Sequence, residues 1–145
     1  MTKPMAAREF APHARVPIPT IRIGGQGRVT LVDLARQTQA MRAHIAEFFP
    51  RDIFRDSAWD MMLELFIAEQ ERRPICVKEL ILVSGETSTS ALRRIDRLES
   101  TGLLQRRTDP ADHRRLAVTL TERGTDAMTA MLRHLYLTMA DAENR

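Results

Sequence analysis

The sequence contains one cysteine, Cys76, in 145 residues. That excludes an intramolecular disulfide and any cysteine-based zinc site, and makes a reducing compartment the natural setting. No apolar run approaches the roughly 18 residues of a membrane span, and the amino terminus has no signal peptide's apolar stretch. Lysine is almost missing: of 22 basic residues only Lys3 and Lys78 are lysine and the rest are arginine. Catalytic signatures are missing as well. No nucleophile–base pairing marks an enzyme, and His13, His44, His113 and His134 have neither helical mutual spacing nor cysteine partners, so no metal and no cofactor is expected. What remains is a chain that is 43% hydrophobic, enough for the core of one domain without metal or disulfide staples.

The net charge of +3 says little by itself, but its distribution is uneven. Residues 1–51 carry eight bases and three acids, residues 52–79 four and seven, and residues 80–145 ten and nine. Within the last block Arg93, Arg94, Arg97, Arg106 and Arg107 stand against only Asp96 and Glu99. A basic amino-terminal segment and an arginine cluster near residue 95 are the electrostatic footprint expected of a phosphate-binding surface.

Residues 1–28 hold Pro4, Pro12, Pro17 and Pro19 and then Gly24, Gly25 and Gly27, which reads as a flexible or extended basic arm. The IGGQGR segment has neither the Lys-Ser/Thr of a P-loop nor the spacing of a dinucleotide turn, so it is read as a hinge. Thr30 with Asp33 opens the first helix, and Leu31, Leu34, Thr38, Met41, Ile45 and Phe48 follow in a narrow stripe up to Pro50. Such a stripe has to be covered by the same chain or by a second one. Ser57 with Asp60 is expected to cap the next helix, whose Trp59, Met62, Leu63, Leu65 and Phe66 leave few polar faces and mark it as the central core helix. Pro74 ends it. Cys76, between Ile75 and Val77, is read as a small buried hydrophobe.

Two shorter helices follow, joined at Ser84-Gly85. In the second, Ala91, Leu92, Ile95 and Leu98 form one face while Ser90, Arg93, Arg94 and Arg97 form another, and Gly102 closes it. An apolar back and an arginine-rich front on the second of two turn-linked helices predict a helix-turn-helix. LLQRR and RRLAVTL then predict a β-hairpin around TDPADH, and Thr121 caps a last helix with the stripe Met128, Met131, Leu132, Leu135 and Met139. The fold class expected is mainly α with a small β-hairpin wing (α+β): a winged helix-turn-helix.

The chemistry follows from that arrangement. An α-helix fits the major groove of B-DNA, and arginine matches guanine's paired acceptors. Ser88, Thr89 and Ser90 place hydroxyls at the amino terminus of the arginine helix, where free N–H groups also attract phosphate. Arg114 and Arg115 at the hairpin tip can enter the adjacent minor groove, and Asp112 is expected to hold Arg114 through a bidentate pair.

The segment LRRIDRLESTGLLQRRTDPADHRRLAVTLTERG resembles the recognition helix, wing and following helix of MarR-type winged-helix transcriptional regulators. The matching features are KEL at 78–80, RLESTGLLQR, the Asp112-x-Arg114 wing and LTERG at 120–124. They cover residues 78–124, and the helix order extends the match to about 29–141. Ser84 and Glu86 depart from it, standing where the family has apolar residues. The resemblance implies an amino-terminal arm over 1–28, then a DNA-binding domain over 29–145 flanked by dimerisation helices at 29–49 and 122–141. It places Leu31, Leu34, Met41, Ile45, Met131, Leu135 and Met139 at the dimer contact. It assigns Ser88, Thr89, Ser90 and Arg93 to DNA and Arg114 to the wing tip. Arg94, Arg97, Asp112 and Arg115 join that DNA-binding set from the face pattern. The partners implied are a second copy of the chain and a pseudo-palindromic double-stranded DNA site. A small-molecule effector is implied too, though no polar constellation identifies one, and a membrane is not.

The function expected is sequence-specific, homodimeric regulation of transcription, with the recognition helix in the major groove and the wing in the minor groove. The expected location is cytoplasmic and bacterial nucleoid-associated. The alternative is a winged-helix protein–protein interaction module, using the basic arm and the acidic 52–79 segment and binding DNA only weakly.

Overall fold

The computed structural model describes residues 20–23, 26–50 and 56–143, with side chains over 29–50 and 56–137. Two strands, β1 (Thr20–Ile23) and β2 (Gln26–Thr30), precede helices α1 (Leu31–Phe48), α2 (Ser57–Glu71), α3 (Val77–Ser84) and α4 (Ser88–Ser100). Strands β3 (Leu104–Thr108) and β4 (Leu116–Leu120) then lead into the last helix, α5 (Glu122–Glu143). The expected fold class holds: a mostly helical chain with a small antiparallel wing.

β1 and β2 pair antiparallel, with Thr20 opposite Thr30 and Arg22 opposite Arg28. The two strands thus form a hairpin where the sequence was read as the end of the arm and the opening of the first helix. Residues 1–19 of the expected arm lie outside the described residues.

α2 is the centre of the core. Met61, Met62, Leu63, Leu65, Phe66, Ile67 and Ala68 are all buried, which a helix achieves only when other elements cover most of its circumference. α1 packs on it antiparallel through Leu31, Leu34 and Ala35, and polar ties follow the same contact. Gln39 donates to Glu64 (2.7 Å), Arg42 Nε to Asp60 (2.5 Å), and Arg36 pairs with Glu71. The hydroxyls of Thr38 and Tyr136 stand 2.9 Å apart, and each lies 2.8 Å from the Leu34 carbonyl oxygen, which joins α1 to α5. Cys76 is buried as expected, its thiol donating to Glu79 (3.3 Å).

The caps bear out most of the sequence reading. The Thr30 hydroxyl accepts from the Asp33 N–H (3.1 Å), and Thr121 accepts from Gly124 (3.0 Å). α2 differs: its N-cap is Asp56, which makes no side-chain capping bond, while Ser57 is buried inside the helix. Ser57 does not cap because it is already the first residue of the helix, one position past the N-cap.

The stripes on α1 and α5 divide where the core ends. Leu31 and Leu34 are fully buried in this chain's own core, and this corrects their assignment to a dimer contact: a side chain with no accessible surface in one copy cannot touch another. Met131 is half-buried against the same core. Met41, at 60% exposure, Phe48 and Leu135 remain open, and Ile45 is half-exposed. Met139 lies outside the described side chains.

Candidate nucleic-acid interface

α3 and α4 form the helix-turn-helix, and the turn explains the two residues that depart from the family pattern. Gly85 ends α3 with φ 62°, a conformation that favours glycine. Ser84 is buried, yet satisfied: its hydroxyl donates to the Ile81 carbonyl (2.5 Å) and accepts from the Glu86 N–H (3.1 Å). An apolar residue there would fill the same space without closing the turn. The carboxylate of Glu86 reaches forward along α4, where Arg94 Nε donates to both of its oxygens (3.0 and 2.9 Å). Burial pushes the Glu86 carboxyl up, but Arg94, together with the hydroxyls of Ser57 and Ser90, outweighs burial and holds it below the ordinary carboxylate value.

This pairing divides the arginine face. Ala91, Ile95 and Leu98 are buried as expected. Arg93 and Arg97 are exposed and make no ion pair or side-chain hydrogen bond among the described residues. With Ser90, Arg94 and Leu98 they line a shallow cleft of about 260 Å³ against Ala58 of α2. Arg94, grouped with them on helical spacing alone, is instead tied back to the turn. The hydroxyl of Thr87 accepts from the Ser90 N–H (3.3 Å), so Thr87 is the cap, Ser88 and Thr89 stand exposed in the first turn, and Ser90 is half-buried.

The wing is a register-perfect pair, Leu104 opposite Leu120 through Thr108 opposite Leu116. An isolated bridge between Cys76 and Ala117, with Val118 N–H donating to Ile75 (2.8 Å), adds a third backbone segment beside β4. Asp112 does not pair with the Arg114 guanidinium. It accepts from the Arg114 backbone N–H (3.0 Å), the short carboxylate being better placed to close the turn than to cross it. Asp109 does likewise for Ala111 (2.8 Å). Arg114 and Arg115 are left exposed at the tip.

Arg106, counted among the basic cluster in the sequence, is a tie between wing and helix. Its Nη2 donates to Asp96 (2.6 Å) and to Glu99 (2.8 Å), its Nε to Glu99 (3.2 Å), and its backbone N–H to the other Glu99 oxygen (2.8 Å). Those side-chain and backbone bonds hold the Glu99 carboxyl below its ordinary value. Sequence reasoning missed this tie. The i, i+3 spacing of Asp96 and Glu99 was visible, but which arginine faced them depends on the strand register.

LTERG proves to be a packing device. The Thr121 hydroxyl donates to the Gly102 carbonyl (2.5 Å) and its N–H to Leu103 (3.1 Å), while Gly124 lies so close that a Cβ there would sit 2.0 Å from the Leu103 oxygen. The end of α4 is thereby fixed to the start of α5. Among the described residues no group of three or more His, Cys, Asp or Glu could hold a metal ion, and no helix is long and apolar enough to cross a membrane.

No protein-family model matches the chain, and neither does any curated protein sequence. Among solved structures it is similar to the DNA complex of MepR from S. aureus, with TM-score 0.52 and 15% identity over 75% of this chain and 86% of that one. It is also similar to a probable transcriptional regulator from Pseudomonas aeruginosa (TM-score 0.46, 22% identity, 77% and 82% covered). A third is the transcriptional regulator Tm0710 from Thermotoga maritima (TM-score 0.48, 19% identity, 78% and 76% covered). The likeness to MepR is one of fold: the winged helix read from the sequence.

Proposed function

We propose that the chain is a homodimeric, sequence-specific double-stranded DNA-binding regulator of transcription. The observation that carries the reading is the arrangement of four exposed arginines. Arg93 and Arg97 project from α4 beside the hydroxyls of Ser88 and Thr89, and Arg114 and Arg115 project from the wing tip. A helix of that width enters the major groove, and arginines at the tip of a flanking hairpin reach the minor groove or its phosphates. The MepR structure of the same fold is a complex with DNA, which supports the reading by analogy of fold.

The dimer rests on the exposed apolar side chains of the distal halves of α1 and α5: Met41, Phe48, Phe49, Leu135 and Leu137. Covering that surface with a second copy would present two α4 helices with two-fold symmetry. Their half-sites would then lie about 34–36 Å apart, or a multiple of that. The alternative, a protein-binding module with an acidic face, has less to stand on. Asp60, Glu64 and Glu71 of α2 are already paired with Arg42, Arg73 and Arg36.

Selection of bound fragments from a random DNA pool tests the reading directly. An enriched, approximately palindromic sequence is expected. Steeply salt-dependent binding with no enriched sequence would refute it and favour the module. Sedimentation at micromolar concentration is expected to give twice the chain's 16.6 kDa, and a monomer would refute the dimer.

A further inference from the structure

The acidic side chains on the recognition helix are the least expected feature of a surface meant for DNA. Asp96 and Glu99 lie on α4 at i, i+3, on the side that faces the wing rather than the cleft. Asp96 is 62% exposed, so at least one carboxylate stands in the field of any bound phosphate. Carboxylates there oppose binding to every sequence alike. Both converge on a single guanidinium, that of Arg106, which sits on β3 opposite the buried Val118, on the face the hairpin turns towards α4.

We infer that Asp96 and Glu99 are positioning residues that act through Arg106 to set the angle between the wing and the recognition helix, and with it the sequence selectivity of the interface. This rests on the functional reading above. The helix–strand corner is held at its base by Gly102 and Thr121, and β4 is held to Ile75 through Val118, but neither bond crosses from the ribbon to the body of α4. Arg106 lies two register positions beyond Leu104, between that corner and the tip, where four hydrogen bonds to α4 resist a swing of the ribbon. A planar guanidinium bonded to two carboxylates one helical turn apart fixes direction as well as distance. Arg114 and Arg115 at the tip inherit that direction. The carboxylates therefore weaken attraction to DNA in general while aligning the two elements that read it.

The test uses the full chain with Asp96→Asn and Glu99→Gln together, which keep the shapes and remove the charges. In the DNA-free protein, amide residual dipolar couplings of α4 and of β3–β4 should fit one alignment frame in the parent and two in the variant, with α2 and α5 unchanged. A single frame in the variant overturns the inference, whatever the DNA result. With DNA, the variant should bind unrelated sequences more tightly and its selected site no more tightly, so the ratio between them falls. If both affinities rise by the same factor, the carboxylates act by charge alone and the inference fails. Arg114→Ala should cost about tenfold in affinity for the selected site in the parent and less than about twofold in the variant background, because an unaligned wing has less contact to lose. An equal cost in both backgrounds also overturns it. If the parent selects no sequence, the functional reading fails, and the alignment frames alone decide whether the tie positions the wing.

Discussion

Two glycine-to-alanine substitutions, twenty-two residues apart, should behave very differently, and the difference follows from geometry. At Gly124 an added Cβ would lie 2.0 Å from the Leu103 oxygen and 3.0 Å from its carbonyl carbon, against the 3.4 Å or more of ordinary contact. Neither neighbour is a flexible side-chain end, so α5 and the 102–103 corner must separate by more than an ångström. That separation pulls on both bonds of Thr121, to the Gly102 and Leu103 carbonyls. Overpacking of a tight site costs about 1–3 kcal/mol. Two weakened hydrogen bonds add about 1 kcal/mol each, for a total of about 3–5 kcal/mol, a large share of the stability of a domain this size. Gly102→Ala meets only Arg123 Nη1 at 3.7 Å, so its penalty is the left-handed φ of 78° alone, about 1–2 kcal/mol. Urea denaturation of the two variants measures both. Equal losses, or a Gly124→Ala loss below about 1 kcal/mol, would refute the claim that the LTERG glycine is there for close approach.

Arg97→Ala should leave stability unchanged while lowering DNA affinity, with the salt slope falling by about 0.9 if Arg97 contacts a phosphate; Arg94→Ala should instead destabilise the fold by about 1–2 kcal/mol by leaving Glu86 without its partner, as denaturation and filter-binding titrations together would reveal. Arg93→Ala should cost on the order of 1–3 kcal/mol at the selected site and relax its base preference, and an unaltered selected sequence would remove Arg93 from the reading set. Glu86 and Glu99 both titrate below the ordinary 4.5 in the folded chain, so each contributes stability that is complete above that value and is lost as pH falls through the lower folded one. The parent should therefore lose more stability than a Glu86→Gln, Glu99→Gln chain on acidification from about pH 5 to pH 3, and parallel curves would count against those pairings. Tyr136→Phe should cost about 1–2 kcal/mol through loss of the hydroxyl that reaches Thr38 and Leu34, with thermal denaturation as the readout.

The elements themselves were legible from periodicity and caps, because those are local. Thr30 and Thr121 each accept from the backbone N–H three residues on, as expected of caps, whereas Thr87 was not singled out as one. The extent of burial along a stripe was not legible. Leu31, Leu34, Met41 and Ile45 look alike on a helical wheel, yet only the first two are buried in the core. The amino-terminal hairpin was missed because Pro17, Pro19 and three glycines suppress the strand pattern that Thr20–Ile23 and Gln26–Thr30 carry. At the interface, the residue type and the helix face were readable. Partnership was not, because Glu86 reaches Arg94 across eight residues and Arg106 reaches Asp96 across ten, through a turn and a strand register.

That distinction bears on why the basic residues are almost all arginine. Arg36, Arg42, Arg73, Arg94 and Arg106 are ties within the chain, and most use the fork of the guanidinium. Arg42 bonds the Asp60 carboxylate and the Asp56 carbonyl while lying 6.0 Å from the Trp59 ring, and Arg106 spans two carboxylates. An ammonium group offers one charge centre and no rigid fork, so it satisfies one partner well and the second poorly. Arginine abundance thus reflects internal ties as much as attraction to phosphate, and only the exposed arginines argue for DNA. Arg106→Lys keeps the charge, and with it any general attraction to phosphate, yet gives up the span between Asp96 and Glu99. It should reproduce the loss of wing alignment without the gain in nonspecific affinity expected when the carboxylates are neutralised. A lysine variant with the parent's selectivity and a single alignment frame would show that charge at this position suffices and the fork does not matter.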